Sequence, residues 1–61
     1  MREHSTNPRA RRLERTIRRN LAKGNIPALR AVGIIAQDHH LTVTVARAAA
    51  ALRFVGGINH V

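Results

Sequence analysis

A chain of 61 residues with no cysteine and a formal net charge of +8 has room for one domain, and it excludes both a disulfide framework and a thiolate zinc site. A core of this size supplies only a few kcal/mol, and so large a basic excess implies a polyanionic partner, because clustered cations release counterions when they neutralise phosphates. Ten of the eleven basic residues are arginine, whose planar fork fits phosphate oxygens and guanine edges; a GC-rich genome also produces such a composition.

The charge is concentrated at the front. Residues 1–23 hold eight basic and two acidic side chains, net +6, whereas residues 24–61 hold three basic and one acidic, net +2. No uninterrupted apolar run reaches the roughly 18 to 20 residues that span a bilayer, and MREHSTNPRARR lacks the apolar stretch of a secretory signal, so a cytoplasmic location is expected.

Residues 1–7 read as a flexible tail ahead of a single helical domain over 8–61. The first helix is expected over 8–23, with Asn7 as N-cap, Pro8 at the first helical position, Gly24 as a stop and Lys23 near the negative end of the dipole. Ala10, Leu13, Ile17 and Leu21 recur at spacings of three and four, and Arg11, Arg15, Arg18 and Arg19 fall opposite them.

A second helix is expected over 27–38, opening at Pro27. Leu29, Val32, Ile35 and Ala36 form its inward face, and Gly33 weakens its middle by about 1 kcal/mol relative to alanine. A third is expected over 42–55, with Thr42 as N-cap, Gly56 and Gly57 as the stop, and an extended tail over 56–61. TVTV alone has β propensity, but the alanines and the lack of any turn residue from 43 to 55 favour helix. The fold class is therefore all-α, a small three-helix domain with a short extended C-terminal segment.

Thr44, Val45, Arg47, Ala49, Leu52, Gly56 and Ile58 stand at offsets 0, 1, 3, 5, 8, 12 and 14. This spacing resembles the recognition helix of winged helix-turn-helix DNA-binding proteins, T-V-x-R-x-L-x-x-L-x-x-x-G-[LVI]-I. Upstream, IIAQDHHLT resembles the same family's ELAEELGVS. The resemblance implies that Val45, Ala49 and Leu52 face the core with Ile35, Ala36 and the turn residue Leu41, while Thr44 and Arg47 point toward DNA. It further implies that the chain leaves the helix at Gly56 and that Ile58 begins a short strand. The chain departs from the pattern in a turn one residue short, in His40 at the turn glycine, and in Ala49 at a core leucine. Nothing after GGINHV leaves room for a wing hairpin, so the wing is expected to be absent or truncated.

In that arrangement the third helix enters the major groove, where Arg47 can bond guanine O6 and N7 for about 1 to 3 kcal/mol of discrimination. Thr42 and Thr44 are expected to bond phosphate or a base edge, and Val43, Ala46 and Ala50 to touch thymine methyls or simply let the backbone come close. Arg53, with Arg9, Arg11, Arg12, Arg15, Arg18 and Arg19, supplies phosphate contacts that position without specifying. The expected function is double-stranded DNA binding by a transcriptional regulator or accessory factor of bacterial or phage type.

A different class of function competes. Val43, Arg47, Ala50 and Phe54 lie opposite Val45, Ala49 and Leu52, so the third helix is nearly apolar all round and suits burial on more than one side. Phe54 and Val43 are then contacts of a homodimer or a protein partner, and the chain is an inhibitor or adaptor docked on a larger enzyme. An RNA-associated or ribosome-associated basic protein is a further alternative. One Phe, with no Trp or Tyr, disfavours single-strand readers that stack bases, and the first helix lacks an aromatic anchor for a membrane surface.

Catalysis is not expected, since the chain has one serine and no carboxylate pair at useful spacing. His4, His39, His40 and His60 lack a further ligand at i+3 or i+4, and VGGI lacks the lysine and glycines of a phosphate loop, so neither metal nor cofactor is expected.

Overall fold

A computed structural model describes residues 7–59. Residues 1–6, 60 and 61, which include most of the expected N-terminal tail together with His4 and His60, lie outside the described residues. The described chain is three helices without a strand: α1 (Pro8–Lys23), α2 (Ile26–Asp38) and α3 (Thr42–Asn59).

Each junction is set by a few side chains. Asn7 Oδ1 accepts the N–H groups of Arg9 at 2.9 Å and Ala10 at 3.3 Å, which opens α1 with Pro8 at a position that needs no donor. At the other end Gly24 turns left-handed with φ +65; its N–H bonds Leu21 O at 3.1 Å, and Asn25 N–H bonds Asn20 O at 3.0 Å. This paired closure is a Schellman motif. Asn25 then opens the next helix, its Oδ1 accepting Ala28 N–H at 3.2 Å. Because Asn25 supplies that cap, α2 begins at Ile26, one residue before the expected Pro27.

The α2–α3 turn repeats the same closure with a different residue. Leu41 N–H bonds Ala36 O at 2.9 Å, His40 N–H bonds Gln37 O at 3.0 Å, and His40 takes the left-handed conformation with φ +56. Leu41 and Ala36 are packed together, the apolar contact that usually accompanies this motif. The Leu41 carbonyl accepts Val45 N–H at 2.9 Å, so Leu41 and not Thr42 holds the N-cap position of α3, and Thr42 is the first helical residue.

The expected stop at Gly56 and Gly57 is also corrected, since α3 runs through both to Asn59 and the extended segment from 56 with its strand at Ile58 does not form. Glycine ends a helix when it turns left-handed; among the described glycines only Gly24 has positive φ. Once α3 is nucleated, carrying it across two glycines costs only about 1 kcal/mol each relative to alanine.

The helices lie lengthwise around a thin core. One cluster joins Ala10, Ala36 and Leu41, with Leu13 and Val45 against it. The other joins Ile17, Leu29, Val32, Ala48, Ala51 and Val55, with Leu13, Leu21, Ile26 and Leu52 at its border. α1 and α3 run in the same direction, because Glu14 meets Arg47 in the N-terminal half of each helix and a Cβ on Gly24, just past the end of α1, would lie 3.9 Å from Val55 in the C-terminal half of α3.

This packing rotates α3 relative to expectation. Its buried stripe is Thr44, Ala48, Ala51 and Val55, while Val45 and Leu52 are half-buried and Ala49 is exposed. The cause is tertiary: α3 packs against α2 with Ala48 beside Gly33, where a Cβ would stand at an ordinary contact distance of 3.6 Å from the Ala48 Cβ, and this seating turns Thr44, Ala48, Ala51 and Val55 inward. On α2, Leu29, Val32 and Ala36 are buried as expected, but Ile35 lies outside the core at 43% exposure.

Candidate functional site

The outward face of α1 is a continuous basic surface. Arg9, Arg11, Arg12, Arg15, Arg18 and Arg19 are all exposed, with Lys23 beyond them. Helical geometry gathers Arg11, Arg15 and Arg18 in one row beside Arg12 and Arg19, and Arg11 and Arg19 stand about 12 Å apart along the axis. The opposite, apolar side of the helix is spent on the core, where Ala10 and Ile17 are buried, so it does not offer lipid an apolar surface. No helix among the described residues is long and apolar enough to cross a membrane.

Glu14 is the single acid of α1, and it is withdrawn from that surface, with only 12% of its side chain exposed. Its Oε1 accepts a hydrogen bond from Arg47 Nη1 at 2.8 Å, bridging α1 to α3. Arg11 stands three residues before Glu14 and Arg18 four after it, so both are its neighbours on the helix. Arg47 is paired with the carboxylate and Arg11 and Arg18 flank Glu14 along α1, so this stretch of the surface carries three basic side chains to one acid. Arg47 remains 56% exposed while paired, with one of its five N–H donors committed.

The remaining expected site residues separate. Arg53 and Thr42 are exposed on α3, and between them Ala46, Ala49 and Ala50 present a face of small side chains. Thr44 does not belong to that face. It is fully buried at 0% exposure, and its Oγ1 has no hydrogen-bond partner, which removes it from the expected contacts with DNA. Val43 is half-buried, and Phe54 is 59% exposed on the Arg47 side of the helix. Thr42 instead joins Gln37, His40 and Val45 around an open cavity of about 320 Å³ at the α2–α3 turn. Among the described residues, no group of three or more histidines and carboxylates comes together to hold a metal ion.

Glu14 is the residue that sequence reasoning passed over. A signal existed, since it stands four residues after Ala10 and three before Ile17, at the edge of the apolar stripe and not among the outward arginines. Its partner, 33 residues away, leaves no trace in local spacing. Comparison with known protein families, curated proteins and solved structures returns no match.

Proposed function

We propose that this protein binds duplex DNA, with the arginine face of α1 on the phosphate backbone and α3 presented to the major groove. The observation that carries the reading is the unbroken basic surface of α1, free of exposed acid and continued onto α3 by Arg47. The exposed alanines of α3 suit close approach to base edges, and Arg47 and Arg53 flank them with donors able to reach guanine or phosphate. The resemblance of this helix to winged helix-turn-helix recognition helices agrees with that role. A regulator or accessory factor acting on DNA in a bacterial or phage-infected cytoplasm follows from it.

Anisotropy of labelled duplexes across salt concentrations tests the reading. With six or so phosphate contacts, the logarithm of affinity should fall against the logarithm of salt with a slope of roughly −5. Arg15→Ala should reduce that slope by about 1 and weaken all duplexes alike, whereas Arg47→Ala should narrow the difference between preferred and random duplexes. Affinity that is weak and indifferent to salt would reject the reading.

The exposure of Phe54 supports a second contact, with another copy of the chain. Sedimentation of the wild type and Phe54→Ala, free and on DNA, tests it; identical masses in both states count against self-association.

A further inference from the structure

We infer that Glu14 is a positioning residue for Arg47, fixing the guanidinium so that it reads a base instead of gripping any nearby phosphate; this rests on the DNA-binding reading above. Arginine is long and rotamer-rich, and a reader of base edges must hold its planar fork in one orientation. Glu14 provides what such an orientation needs. Its carboxylate is largely enclosed between α1 and α3, it projects from the interior of a capped helix, and it accepts from Nη1 at 2.8 Å. The pair leaves four N–H donors of Arg47, and a bidentate contact to guanine O6 and N7 uses two.

The surroundings separate positioning from simple neutralisation. Glu14 lies among Arg11, Arg18 and Arg47, where a carboxylate lowers attraction to any polyanion. A residue placed only to join two helices has no effect on preference among sequences. A positioning residue has two effects of opposite sign: removing its charge strengthens binding to arbitrary DNA and weakens the preference for the chosen site.

The experiment enriches duplexes from a random pool with the wild type, then compares the best duplex with a scrambled one. Glu14→Gln is expected to bind the scrambled duplex about twofold to threefold more tightly. The ratio of best to scrambled should fall roughly tenfold, as it does in Arg47→Ala, with no further loss in the double variant. An unchanged ratio in Glu14→Gln, or losses that simply add in the double variant, overturns the inference while leaving DNA binding intact. A wild type that binds and enriches no duplex overturns the functional reading and this inference together.

Circular dichroism at the binding temperature checks each variant for helix. Should Glu14→Gln fail to fold, Glu14→Asp carries the test, because it keeps the charge and draws the anchor back by one methylene. Its ratio should fall severalfold with affinity for the scrambled duplex unchanged, and a wild-type ratio in Glu14→Asp overturns the proposal.

Discussion

Thr44 and His40 each hold a local conflict that the fold tolerates. The Thr44 hydroxyl is buried without a partner, and leaving such a group unpaired typically costs about 1 to 3 kcal/mol. Thr44→Val keeps the branched shape and deletes the hydroxyl, so urea unfolding should show a gain of about 1 kcal/mol, with DNA affinity unchanged; a loss of affinity would restore Thr44 to the binding face. His40 and Gly24 occupy the same place in two Schellman closures, at φ +56 and +65. A side chain there carries a penalty of about 1 kcal/mol, so His40→Gly should stabilise and Gly24→Ala should destabilise by about that amount. The space beside Gly24 admits a Cβ, with Val55 at 3.9 Å, which leaves backbone conformation as the cause. Equal signs for the two substitutions in one urea assay would refute it.

For the helices, the sharpest prediction concerns the end of α3. A Cβ at Gly56 or Gly57 would meet nothing within 4 Å, and both residues are helical. Alanine at either position should raise stability by about 1 kcal/mol and increase the 222 nm ellipticity; a decrease would mean that the glycines do stop the helix. Legibility differed among the helices for a physical reason. α1 was readable because Asn7, Gly24 and a one-sided apolar stripe agree, and its arginine face follows directly from them. α2 was readable except at Ile35 and in its first residue, which Asn25 determines. α3 is apolar on nearly every side, so several rotations bury similar surface and local pattern cannot choose among them. The choice is made by packing against the other two helices, which buries Thr44, Ala48, Ala51 and Val55, and the Glu14–Arg47 pair spans too much sequence to be seen locally.

The molecule as a whole is held by little apolar volume. Of nine buried apolar residues among those described, Ala10, Ala36, Ala48 and Ala51 contribute only a methyl each, and Leu29 is the largest apolar side chain enclosed completely. Leu29→Ala, at about 2 to 5 kcal/mol, is comparable to the whole stability of a domain this small and should leave it largely unfolded at 25 °C by circular dichroism. The charge adds a second expectation. Salt screens repulsion within the α1 arginine face, so the melting temperature should rise with salt over the same range in which DNA affinity falls; parallel trends would argue against this electrostatic account. The two short connections bear on how quickly all this assembles. Residues 24–25 and 39–41 join helices that pack as sequence neighbours, which keeps contact order low and favours folding in microseconds to milliseconds. The Glu14–Arg47 bridge closes 33 residues, a larger loop-closure cost than the short connections carry, so it is expected to form late, and breaking it should hasten unfolding while barely slowing the refolding arm of a chevron plot.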